Sequence, residues 1–94
     1  MMGNMSSDDK LKQLRDAIDK ADNSLVLLLA MRMELVKEIG IYKRERKMAV
    51  RDEKRRNEVL TSRIAQGKEL GLSEELIRKL FEEILDSAEE IEKK

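Results

Sequence analysis

Residues 11–42 read LKQLRDAIDKADNSLVLLLAMRMELVKEIGIY, and this stretch decides the fold. Apolar side chains recur at Leu11, Leu14, Ile18, Ala21, Leu25 and Leu28, and again at Leu35, Ile39 and Tyr42. Steps of three and four place them on one stripe of an α-helix, the spacing of a coiled-coil seam. Leu29 and Val36 widen the stripe on one side, so the spacing predicts a helix with several neighbours rather than one. Arg32 alone interrupts the seam with a full charge. A buried, unpaired guanidinium is costly, so Arg32 must meet an anion or reach solvent. A polar seam residue that sets register, or that pairs with a Glu of a neighbouring helix, accounts for it equally well at this level.

Working outward, residues 1–8 read as a flexible leader, with Ser7, Asp8 or Asp9 as a cap that places negative charge at the helix N-terminus. On the other side the apolar pattern fades over residues 44–48. Val50-Arg51-Asp52 followed by Glu53 predicts a loop and then a second helix capped at or near Asp52. Val59, Leu60 and Ile64 would face inward, and the helix would end between Gly67 and Gly71, where Gly71 suits a left-handed turn. Ser73 then caps a third helix with Glu74 and Glu75 in its first turn. Its Leu76, Ile77, Leu80, Phe81, Ile84, Leu85, Ala88 and Ile91 form one apolar face. With no Pro and a preponderance of good helix formers, the expected fold is all-α, one long helix and two shorter ones, with residues 9–94 forming a single domain.

Length bears on the quaternary state. A helix over residues 9–44 is about 50 Å long at about 1.5 Å per residue. A compact domain of about 100 residues has a radius of gyration near 13 Å, so such a helix would overhang a monomer and expose its stripe. An intertwined homodimer is expected.

Composition removes much chemistry. The chain has no Cys and no His, which excludes disulfides and thiolate metal sites and takes away the commonest general base. Twenty basic residues balance 20 acidic ones, so no net field draws the chain to nucleic acid or a membrane. Tyr42 and Phe81 are its only aromatics, too few for a platform that stacks bases, and no glycine-rich phosphate loop is present. The apolar run from Leu25 to Met31 is far too short to span a bilayer, and the N-terminal residues lack a secretion-signal arrangement. A cytoplasmic protein without metal or cofactor is expected. What remains is charge: Lys43 lies eleven residues beyond Arg32, about three turns, on nearly the same face. Lys43, Arg44, Arg46 and Lys47, like Arg51, Arg55 and Arg56, read equally well as ordinary solvated basic stretches.

The segments Leu14-Arg-Asp-Ala-Ile-Asp, Leu29-Ala-Met-Arg-Met-Glu-Leu, Ile39-Gly-Ile-Tyr-Lys and Val50-Arg-Asp-Glu-Lys-Arg, with Leu80-Phe81 and Ile84, resemble the all-helical chorismate mutases over nearly the whole chain. The resemblance implies an isomerase of aromatic amino-acid biosynthesis in the shikimate pathway. Such an enzyme rearranges chorismate to prephenate by an intramolecular Claisen step that needs no nucleophile. The protein folds a flexible dianion into its reactive shape and stabilises charge developing on the ether oxygen.

By position, the resemblance implies that Arg32 and Arg15 of the partner subunit grip the substrate carboxylates bidentately. Arg15 cannot serve its own chain's Arg32, because seventeen helical residues separate them, about 25 Å. Lys43 would contact the ether oxygen and a carboxylate, with Asp52 and Arg55 lining the same pocket. Three positions depart from the family pattern: Arg56 stands where a glutamate usually receives the substrate hydroxyl, Ala88 where a serine commonly touches a carboxylate, and Glu92 where a glutamine usually donates to the ether oxygen. Ser87 and Asn57 are one residue from two of these, but one step on a helix turns a side chain by about 100°, so neither is taken as a replacement.

A carboxylic acid donates only when protonated. Holding one protonated at pH 7 from a reference pKa of about 4.3 costs about 3.7 kcal/mol. Glu92 in this role therefore predicts activity that rises toward acidic pH; a frayed surface glutamate is the plainer alternative. Lys43, Glu92 and Arg32 are the expected catalytic residues. A helical dimer without catalysis, or an isochorismate pyruvate lyase on a related scaffold, are the competing functions.

Overall fold

The computed structural model describes residues 7–94. Good helix formers uninterrupted by proline give three helices, α1 Ser7–Glu45, α2 Glu53–Glu69 and α3 Glu74–Glu92. Ser7 and Asp8, expected in the leader, are helical. Asp8 and Asp9 lie in the first turn of α1 rather than at its cap, where their charge still complements the helix dipole. The rest of the predicted leader, residues 1–6, lies outside the described residues.

The other boundaries follow the local chemistry. Asp52 caps α2, its side chain accepting from the Arg55 backbone N–H at 3.0 Å, and Ser73 caps α3 by accepting from Leu76 N–H at 3.1 Å. The α2 helix closes with Leu72 N–H donating to Gly67 O and Gly71 N–H to Lys68 O, and Gly71 takes the left-handed φ of 81° that this closure requires. The α1 helix closes in the same way, Met48 N–H to Lys43 O and Lys47 N–H to Arg44 O, but there the left-handed residue is Lys47, with φ 54°. No glycine marks that turn in the sequence.

The chain divides into two units, one up to Arg32 and one from Met33. In the first, the predicted stripe stands in solvent: Leu11, Leu14, Ile18, Leu25 and Leu28 are all exposed, and only Leu29 and Arg32 are half-buried among its described residues. The second unit holds the core. Val36, Val59, Ile77, Ile84 and Ala88 are buried, with Leu60, Ile64, Phe81, Leu85 and Ile91 half-buried around them. Leu76 and Leu80, expected on the inward face of α3, are exposed instead. The face they extend is wider than the contact with α2 covers. Leu35, Ile39, Tyr42 and Met48 line an open apolar groove on this unit.

Gly40 sets the spacing of α1 and α3 here. A Cβ on it would fall 3.0 Å from Glu92 Cα and 3.3 Å from Glu92 O, so the two backbones approach so closely that a methyl would need them to give by a few tenths of an ångström. No helix among the described residues is long and apolar enough to cross a membrane.

Candidate active site

That close approach delivers Lys43, one turn beyond Gly40, to the C-terminal turn of α3. Lys43 Nζ lies 2.7 Å from Glu92 Oε1, the two side chains only 17% and 10% exposed. The same ammonium donates to Val50 O at 2.7 Å, a carbonyl that the turn after α1 brings back over it. Glu92 Oε1 is buried and, apart from its charge contact with Lys43, has no aligned hydrogen-bond donor among the described residues. Glu92 is thus a fixed, paired carboxylate and not a frayed one.

Around this pair the second unit forms a pocket of about 70 Å³ lined by Lys43, Val50, Asp52, Arg55, Arg56, Leu85, Ala88, Glu89 and Glu92. Six of these were singled out from the sequence: Lys43 from α1, Asp52, Arg55 and Arg56 from the start of α2, Ala88 and Glu92 from α3. Ser87 and Asn57 are exposed and do not line the pocket, as the 100° step per residue requires. Arg15 is exposed and Arg32 half-buried on the first unit.

Arg56 does not act alone. Its guanidinium, 13% exposed, reaches Asp86 Oδ1 at 2.9 Å and Glu89 Oε1 at 3.4 Å. Arg51 also meets Glu89, at 3.3 Å, and pairs with Glu53, whose hydrogen bond is the main cause that raises the Arg51 pKa above its ordinary value. Arg55 extends toward Glu58 at 3.8 Å.

Leu85, Glu89 and Val50 were not anticipated. The first two were legible, because 85, 88/89 and 92 follow the three-to-four spacing of one helix face. Val50 contributes a carbonyl, which carries no side-chain signature. The lining charges balance, Lys43, Arg55 and Arg56 against Asp52, Glu89 and Glu92. Among the described residues no group of three or more acidic side chains is placed to hold a metal ion.

A three-helix chain with a charged pocket of this kind falls in a defined class, and residues 14–93 match the family model described as chorismate mutase type II. The chain belongs to that family. It is 36% identical over 90 residues to a bifunctional chorismate mutase/prephenate dehydratase of Buchnera aphidicola, covering 96% of this chain and 23% of that one. With the enzyme of the same name from Escherichia coli it shares 36% over 84 residues, 89% of this chain and 22% of the other. With the T-protein of Enterobacter agglomerans it shares 34% over 76 residues, 81% and 20%. The chain therefore spans about a fifth of the length of these curated relatives. A solved structure of a conserved hypothetical protein from Pyrococcus furiosus superposes with a TM-score of 0.72 at 34% identity, covering 93% of this chain and 97% of that one.

Proposed function

We propose that the chain is a cytoplasmic chorismate mutase, rearranging chorismate to prephenate in aromatic amino-acid biosynthesis, and that residues 9–94 act as one catalytic domain of a homodimer. The observation that carries this is the convergence of Lys43, Asp52, Arg55, Arg56, Ala88 and Glu92, drawn from three helices, on one pocket. A structural salt-bridge cluster has no need of the pocket-facing Ala88 or of an ammonium with a donor to spare. Lys43 has three N–H donors; Val50 O takes one, Glu92 faces another, and the third is available to the ether oxygen of the substrate.

The balanced lining charges mean that this pocket by itself does not favour a dianion. Two further cations would, and Arg32 together with Arg15 of the partner subunit supplies them. The exposed stripe from Leu11 to Leu28 is the surface that a second copy would cover. Catalysis then consists of holding chorismate in its reactive conformation between fixed cations and stabilising charge on the breaking C–O bond, with no covalent intermediate. Neither a metal nor a cofactor enters.

The test is the loss of chorismate absorbance with purified protein, prephenate being identified as product. Turnover that depends on Lys43 is expected. Absence of turnover at every pH from 5 to 8 would overturn the proposal, and pyruvate released from isochorismate instead would reassign the pocket to a lyase.

A further inference from the structure

Three carboxylates line the pocket, each facing a group of its own chain. Asp52 Oδ1 holds the first turn of α2 through the Arg55 N–H, and Glu92 Oε1 faces the Lys43 ammonium. Glu89 is different. Its side chain, 18% exposed, is held from one side by Arg56 at 3.4 Å and from another by Arg51, 3.3 Å to Oε1 and 3.4 Å to Oε2, and among the described residues it accepts from no backbone or neutral group. Two arginines hold it in place, and a carboxylate only accepts hydrogen bonds.

In a pocket that takes a dianion, a fixed carboxylate repels both substrate carboxylates and can face only a donor. Ionised chorismate has one, its ring hydroxyl. Arg56, a donor only, cannot receive that proton, and the hydroxyl of the ring cannot be satisfied by Lys43 or Arg55 as an O–H donor either. Resting on the reading of this pocket as that of a chorismate mutase, we propose that Glu89 accepts the substrate hydroxyl and sets the preference for a hydroxyl-bearing substrate, with Arg56 and Arg51 as positioning residues. The acceptor thus sits on α3, one residue past Ala88, and the arginine on α2 aims it.

The experiment compares chorismate with its 4-deoxy analogue as substrates of the wild type, Glu89→Ala and Glu89→Gln. A hydrogen bond to a charged acceptor is worth about tenfold to a hundredfold, so the wild type should prefer chorismate by that factor in kcat/KM. In Glu89→Ala the preference should fall to near parity, and in Glu89→Gln, which keeps a neutral acceptor, to a few-fold. A role confined to bracing Arg51 and Arg56 would slow both substrates alike and leave the ratio at the wild-type value; that outcome overturns the proposal, as does a wild type without preference. Should Glu89→Ala lose its helical circular dichroism, Glu89→Gln alone decides by the same ratio. A wild type inactive on chorismate removes the reading of the pocket and this assignment with it, whereas an active wild type with an unmoved ratio removes only Glu89.

Discussion

Up to Arg32 and from Met33 onward the chain carries apolar residues at the same helical spacing, yet their fates differ. Leu28 in the first unit is 61% exposed, while Val59 in the second is 1% exposed. The periodicity says that something covers a stripe and is silent on what. In the second unit another helix of the same chain covers Val36, Val59, Ile77 and Ile84, while Leu35, Ile39 and Tyr42 stay exposed; for the stripe of the first, we propose a second copy of the chain. The proposed chemistry divides along the same line, with Lys43, Glu89 and Glu92 in the second unit and Arg15 and Arg32 in the first.

The largest effect expected from breaking this division is on turnover. Arg15→Ala and Arg32→Ala should each lower kcat/KM by about a thousandfold, roughly 4 kcal/mol, since each removes a charge-assisted grip on a carboxylate. Unfolded together in equal amounts and refolded, the two variants should recover about a quarter of the wild-type sites, because half the dimers are mixed and each has one intact site. If the mixture stays as inactive as its components, the arginines are not shared between chains.

Next come the two apolar surfaces. Leu25→Glu with Leu28→Glu should weaken dimerisation by a hundredfold or more, about 3 kcal/mol, because charge enters a surface that association would bury. Sedimentation at several protein concentrations reads this directly. Val59→Ala should instead lower unfolding stability by about 2 kcal/mol through lost burial and a cavity, with little effect on the association measured at fixed folded protein. A leucine pair that leaves the association constant unmoved would mean that the stripe is not an interface between copies.

Within the second unit, Glu92 tests how the pocket depends on a proton. As a carboxylate facing Lys43 it can only accept; to donate to the ether oxygen it must first take up a proton. Activity should then rise as pH falls, by at most about tenfold per pH unit. Glu92→Gln, which donates at any pH, should flatten the profile. An identical slope in that variant would take Glu92 out of the proton-dependent step.

Much of this fold was legible because its boundaries are chemical. Asp52, Ser73 and Gly71 each bear the side chain, or the lack of one, that a helix end requires, and each stands where its type predicts. From periodicity the pocket was legible only as separate residues, and the family resemblance alone put Lys43, Asp52 and Arg55 together, since the backbone approach at Gly40 is one that no spacing rule announces. Glu89 went unnoticed as one more acidic residue of a charged helix until Arg51 and Arg56 were seen around it. Val50 acts through its carbonyl, and the exposure of Leu76 and Leu80 depends on how far α2 extends across α3. These are properties of packing, and periodicity alone does not contain them.

The smallest effect concerns two turns of the same design. Both α1 and α2 close through a residue in the left-handed region, Lys47 and Gly71. An L-residue pays about 1 kcal/mol or more there, whereas glycine pays nothing sterically but loses more chain entropy on folding. Lys47→Gly should therefore raise unfolding stability by about 0.5 kcal/mol, the relief of the left-handed strain less the entropy glycine adds to the unfolded chain. Gly71→Ala should lower it by about 1 kcal/mol, since there is no Cβ obstruction at this site and the φ alone resists the change. Urea unfolding of both variants measures the pair. Changes of the same sign would show that Lys47 is held by more than its turn, through contacts of its side chain that outweigh its backbone.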